Sequence, residues 1–268
     1  MSGRYTISYM TTAPMEPVEV LRLAQKLGYC GIGIRLAPLL PGGHFSALAE
    51  NGALLRDTMS CMAETGVSIL EVEGVRLDEQ FRRGDFDRQL EVAAKLGAKA
   101  ICVIGDDAQE SRLVDSFAEL CDSAAPYHLE VALEFMPYSR VRNSQDALRI
   151  LRAAERSNGR IAVDFLHVSR SHMTDSDLMA IPRELMSYAQ VCDAPAEIPT
   201  TREALIQTAR YERSLPGTGG IDVRGFAQAL PADLPLCVET PNVKEVARWG
   251  AEEWARRALA ATQNVLEN

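Results

Sequence analysis

The 268-residue sequence predicts an α/β protein folded as one (β/α)8 TIM barrel over residues 1–268. Two observations carry this expectation. Apolar runs of strand length alternate with segments of helical period about eight times, which is the pattern of parallel βα units. Eight such units in roughly 250 residues is the size of a closed barrel, whose functional groups gather at the C-terminal ends of the strands. A doubly wound open sheet is the competing architecture, and it wants a Gly-rich turn after the first strand. The segment that follows YTISYM is TTAPMEP, with no G-x-G-x-x-G, so no nucleotide cofactor is indicated.

The predicted strands follow in order. They are YTISYM (5–10), CGIGIRL (30–36), VSILEVEG (67–74), AICVIG (100–105), VALEFM (131–136), RIAVDF (160–165), YAQVCD (188–193) and PLCVET (235–240). Each is a short apolar run of the kind that a strand buried on both faces requires. Between them lie amphipathic segments: PVEVLRLAQKLGY, FDRQLEVAAKLGA, SQDALRILRAAERSNG and NVKEVARWGAEEWARRALAATQ. Several close on Gly after a polar or basic last turn, as helix C-termini do. No low-complexity linker or charge block interrupts the series.

Composition narrows the class of partner. Hydrophobic residues make up 47% of the chain and charged residues 24%, the balance of an ordinary soluble protein. No run approaches the roughly 20 apolar residues of a membrane helix, and MSGRYTISYM lacks the blocks of a signal peptide. A cytoplasmic protein without a membrane partner is expected, and self-association is compatible with the chain. Six cysteines (Cys30, Cys61, Cys102, Cys121, Cys192, Cys237) stand singly among apolar neighbours, which suits buried thiols rather than disulfides or zinc. A formal charge of -9 with four histidines opposes a nucleic-acid partner, because phosphate binding draws on clustered Lys and Arg. A small-molecule substrate is the partner that remains.

Polar residues recur at the ends of the last four strands. Strand side chains alternate faces, so Ala132 shares a face with Glu134, Ala162 with Asp164, Tyr188 with Gln190, and Cys237 with Glu239. The opposite faces carry the large aliphatic residues, so this face is read as the narrow barrel interior. A lone acid at a strand end is most often a solvated loop residue or a helix N-cap. Four polar groups in register on consecutive strands are harder to explain that way, since several buried carboxylates need a cation to neutralise them. A divalent metal answers that need.

The quartet Glu134, Asp164, Gln190 and Glu239, with His167 three residues after the aspartate in VDFLH and the loop LPGTGGID (215–222), resembles the xylose isomerase-like TIM-barrel superfamily of sugar isomerases and epimerases. The order of elements carries the resemblance over nearly the whole chain, and the motifs lie within residues 131–242. The resemblance implies a divalent metal held by Glu134, Asp164 and Glu239. Its third position departs from the pattern, with Gln190 where the superfamily has histidine. A glutamine there is similar to the 3-dehydroshikimate dehydratase branch, which also has a following D-A-P like Asp193-Ala194-Pro195, and this implies Gln190 as an oxygen ligand. Three carboxylates and an amide oxygen suit manganese or magnesium.

The same resemblance implies that His167 hydrogen-bonds substrate; the alternative is a packed histidine that supports the ligands. Arg210 and Arg213, in TARYERSLPG, are expected to reach over the barrel mouth to an anionic group, unless they are solvated helix-end residues. Arg35 ends the second strand on the face of Gly31 and Gly33 and is a candidate of equal standing. The LPGTGG loop is expected to be a mobile cover or a substrate-shaping turn, with Asp222 capping the next helix. Thr218 stands between its glycines where relatives often carry an acid or another polar group.

Such a site polarises two oxygens of a polyhydroxylated substrate while Glu134 and Glu239 remove and return a proton. Return to the same carbon epimerises, return to its neighbour isomerises, and loss of the adjacent hydroxyl dehydrates. The leading expectation is a metal-dependent isomerase or epimerase of a small sugar or hydroxyketone. The alternative is a dehydratase of the 3-dehydroshikimate type. A nuclease of the endonuclease IV type conflicts with the four histidines and the negative charge, and a non-catalytic sugar-binding barrel is the remaining reading.

Overall fold

The computed structural model describes residues 4–39 and 42–268. Eight parallel strands close into a barrel in sequence order: β1 (Tyr5–Ile7), β2 (Gly31–Arg35), β3 (Ser68–Leu77), β4 (Ala100–Gly105), β5 (Glu130–Glu134), β6 (Gly159–Asp164), β7 (Met186–Val191) and β8 (Leu236–Val238), with β8 pairing β1. Outward-facing Val, Ile and Leu of the strands pack under the surrounding helices in one continuous core. The interior holds a smaller cluster of Leu70, Ala100, Cys102, Ala132, Ala162, Tyr188 and Cys237. Small residues dominate it because Tyr188 fills the centre of the barrel.

Local chemistry accounts for the helix boundaries. Pro17 opens the helix Pro17–Leu27 behind a reciprocal Glu16 and Glu19 capping box, and Gly28 closes it at φ +93°. Asn143 caps Ser144–Ala154, and Asp222 caps Val223–Ala229 through the Gly225 N–H at 2.9 Å. The last predicted helical segment is two helices, Val243–Trp249 and Ala251–Glu267, broken where Gly250 takes φ +81°. β1 is also shorter than YTISYM, since the Ser8 hydroxyl accepts the Met10 N–H and turns Tyr9–Thr12 into a helix. All six cysteines are free, and no helix among the described residues is long and apolar enough to cross a membrane.

β3 departs most from the expected alternation. Its register against β2 slips, with Ile32 opposite Ile69 but Gly33 opposite Glu71, so a bulge at Leu70 turns both Leu70 and Glu71 inward. Gly33 makes room for this, because a Cβ there would lie 2.8 Å from Glu71 Oε1 and 3.1 Å from the Tyr9 nitrogen. Glu73 follows on the same inward face.

Candidate active site

The four residues at the ends of β5 to β8 meet at the C-terminal mouth. Asp164 pairs with Gln190 across β6 and β7, Glu134 pairs with Ala162, and the Glu239 N–H donates to the Val191 carbonyl at 3.0 Å, one residue beyond β8. All four are buried. Asp164 also caps the helix Phe165–Arg170 by accepting the Leu166 N–H at 2.7 Å, and one turn of that helix returns His167 over it. His167 Nε2 lies 3.6 Å from Glu134 Oε1 and 3.7 Å from Asp164 Oδ2. Glu134, Asp164 and His167 therefore present one atom each within 4.8 Å of one another, close enough to share an ion.

Arg213 is placed differently from the sequence expectation. It lies inside the mouth rather than over it. Its NH1 is 2.7 Å from Asp164 Oδ2 and its NH2 is 3.0 Å from Glu239 Oε1, with the side chain 3% exposed. The backbone explains the position. Asp193 and Ser214 exchange two hydrogen bonds of 2.8 and 3.1 Å, which draws the segment after the helix Arg202–Tyr211 alongside the end of β7. The Arg213 N–H donates to the Pro241 carbonyl and its own carbonyl accepts from Asn242 Nδ2, which fixes it between β7 and β8.

The D-A-P segment and the glycine loop prove to be partners. The buried Asp193 carboxylate accepts the backbone N–H groups of Ala194, Gly217, Gly219 and Ile221 at 2.7 to 3.0 Å. At Gly219 a Cβ would fall 2.3 Å from the Ala194 carbonyl oxygen, so only glycine permits this approach. These hydrogen bonds hold the loop, expected to be a mobile cover or a substrate-shaping turn, against the end of β7.

Arg35 and Arg210 both line the mouth, together with Met10, Glu73, Arg76, Met136, Tyr138 and Arg202. Arg35 is committed to Glu73 at 2.7 Å and stacks 4.4 Å above the Tyr9 ring. The Arg210 side chain forms no hydrogen bond or ion pair among the described residues, which leaves its charge available to a ligand. Glu71 and Glu73 are the site-adjacent acids that periodicity missed, because the bulge reverses their facing; the E-V-E spacing was the available signal. The pairing of Arg213 with two of the acids was not legible either, since it joins residues 49 and 26 positions apart through a loop.

Charge inside the barrel is unbalanced. Five carboxyl groups (Glu71, Glu73, Glu134, Asp164, Glu239) face two guanidiniums (Arg35, Arg213). Burial, with the charges of Asp164 and Glu239, pushes Glu134 well above the usual carboxylate range. Burial likewise lifts Glu239 to about 7 against the opposing pull of Arg213. Burial would also raise Asp164, but Arg213 beside it holds it below its ordinary value. His167 is pushed down to about 4 by burial, with Asp164 opposing, so its imidazole is neutral at pH 7.

A divalent cation fits this donor set. Gln190 donates its Nε2 to Glu239 Oε2, which leaves Gln190 Oε1 buried and without a partner. An unpaired buried acceptor beside surplus carboxylates is what an absent cation would satisfy. The sequence of residues 21–265 matches the family profile of the xylose isomerase-like TIM barrel. The chain belongs to that family. It is 26% identical over 253 residues to a 3-dehydroshikimate dehydratase of Pseudomonas aeruginosa, covering 88% of this chain and 37% of that protein. The chain therefore spans little more than a third of that relative's length. Among solved structures, the IolI protein with a bound zinc atom superposes with a TM-score of 0.80 at 22% identity, covering 98% of both chains. The D-allulose 3-epimerase of a Methylomonas species gives a TM-score of 0.72 at 15% identity over 97% of this chain and 96% of that one. At these identities the two structures speak for the fold of this family.

Proposed function

We propose that this chain is a divalent-metal-dependent dehydratase of the 3-dehydroshikimate type, acting on a small cyclic hydroxyketone that carries a carboxylate. The observation that carries the reading is the pair formed by Gln190, whose amide donates to Glu239 while its buried oxygen has no partner, and Arg210, whose guanidinium lines the mouth unpaired. Gln190 favours the dehydratase branch over the histidine-bearing epimerases, and Arg210 offers a counter-charge that an uncharged sugar would not use. The dehydratase relative supports the same choice.

Glu134, Asp164, Gln190 and Glu239 would hold the cation, with His167 beside them. Once bound, the cation supplies positive charge to the substrate oxygens and stabilises the negative charge left by proton removal. Glu134 and Glu239 then divide the proton work. Glu239 can accept a proton from the carbon next to the ketone. The neighbouring C–O bond breaks as that electron pair shifts, and its oxygen leaves as water after taking one proton from a carboxylic acid. Glu134, on β5 across the mouth from Glu239, would supply that acid. Neutral His167 can hydrogen-bond a substrate oxygen without adding charge.

Incubation of the purified protein with manganese and 3-dehydroshikimate tests the reading through the ultraviolet absorbance of the aromatic product. A flat trace removes the dehydratase. The epimerase reading, favoured by the shared proton-transfer geometry, would then be judged by uptake of solvent deuterium across a panel of small ketoses.

A further inference from the structure

We propose that Arg213 is a built-in counter-cation of the metal centre: it balances Asp164 and Glu239 when no metal is bound, keeps the site assembled, and weakens its attraction for a divalent ion. The proposal rests on the metal-binding reading given above.

Geometry carries it. A guanidinium has five N–H donors, and three of Arg213's are hydrogen-bonded: Nε to the Ala209 carbonyl at 2.8 Å, and NH1 to Asp164 Oδ2 at 2.7 Å and to Cys192 Sγ at 3.4 Å, while NH2 forms an ion pair with Glu239 Oε1 at 3.0 Å. Little donor capacity remains for a substrate anion, in contrast to Arg210 one turn earlier. Two buried carboxylates from different strands are thus bridged by one fixed cation. Without it, the metal-free protein would have to protonate them or let them separate, because both are buried and lose most of their hydration. Guanidinium suits the task since it does not lose its proton in proteins.

The same charge acts on an incoming metal. Arg213 stands within hydrogen-bond distance of two ligand carboxylates, so a divalent ion among them meets a like charge a few ångströms away, at low dielectric. Asp164 and Glu239 would also be shared between the two cations. Rigidity of the site and moderate metal affinity follow from one side chain.

The test compares wild type with Arg213→Gln and Arg213→Lys, by melting in chelator, melting in saturating manganese, and calorimetric manganese titration. In chelator, Arg213→Gln should melt at least about 5 °C below wild type, because breaking a buried ion pair leaves uncompensated charge. Arg213→Lys, which keeps the charge, should recover at least half of that loss. Manganese should raise the melting temperature of Arg213→Gln more than that of wild type, and its dissociation constant should fall by about tenfold or more. A chelated Arg213→Gln that melts with wild type overturns the proposal, as does an equal or smaller manganese increment. Should Arg213→Gln fail to fold in chelator, folding on addition of manganese supports the counter-charge role, and failure in both conditions overturns it. Absence of manganese binding by wild type would instead sink the metal reading, and Arg213 would still be judged by the chelator comparison.

Discussion

Gln190 donates its amide to Glu239, and its carbonyl oxygen is left buried and without a partner beside that carboxylate. An oxygen donor at this position, among carboxylates, favours hard cations that accept octahedral geometry. The metal-stripped protein should therefore regain activity with manganese or magnesium better than with zinc. Gln190→His adds a nitrogen donor and should shift the preference toward zinc or cobalt, as activity measured across the metal series will show. An unchanged series would separate Gln190 from the metal.

Glu239→Gln retains the shape and the bridge to the mouth but removes a ligand charge and the proton acceptor. Turnover should fall by about 100-fold or more, with the melting temperature of the metal-loaded protein close to wild type. Retained turnover would take Glu239 out of the mechanism.

Arg210→Ala should raise KM well above wild type and leave kcat within a few-fold, because a grip on a substrate carboxylate is equally good in the ground and transition states. Steady-state kinetics on 3-dehydroshikimate separates the two parameters. A loss confined to kcat would argue against an anion grip.

The stability of the metal-free protein should fall as pH rises from about 5 to about 8. Glu239 moves from an ordinary 4.5 to about 7 on folding, so across that window the folded state holds a proton that the unfolded chain has released, and rising pH favours unfolding. Glu134 and Glu71, both raised by burial, act in the same direction. His167 opposes them below about 6.5, because its folded value of about 4 leaves the unfolded chain holding the extra proton. His167→Gln should therefore steepen the decline, measured as melting temperature in chelator against pH. A melting temperature that climbs over this range would contradict these assignments.

The barrel and its quartet were legible in the sequence because both follow from period. Eight apolar runs spaced by helical segments fix the architecture, and alternation places Glu134, Asp164, Gln190 and Glu239 on one face. What was not legible depends on breaks in period or on distant contacts. The bulge at Leu70 turns Glu71 inward, and its enabling feature is the missing Cβ of Gly33 on another strand. The clamp between Asp193 and the glycine loop joins segments that composition alone reads as separate. It also carries Arg213 into the site, where the sequence reading had placed it over the mouth. The sequence leaves His167 between a substrate contact and a packed histidine that supports the ligands, and its distances to Glu134 and Asp164 add it to the group that can share an ion.

Manganese titration of the chelator-treated protein, wild type beside Gln190→Ala, tests the central claim most directly. The account predicts that wild type binds one equivalent of manganese, with a matching rise in melting temperature, and that Gln190→Ala binds it more weakly while keeping its fold. If wild type takes up no manganese and no divalent cation raises its melting temperature, Gln190 is a core amide that satisfies Glu239 alone, and the metal-centred account is contradicted.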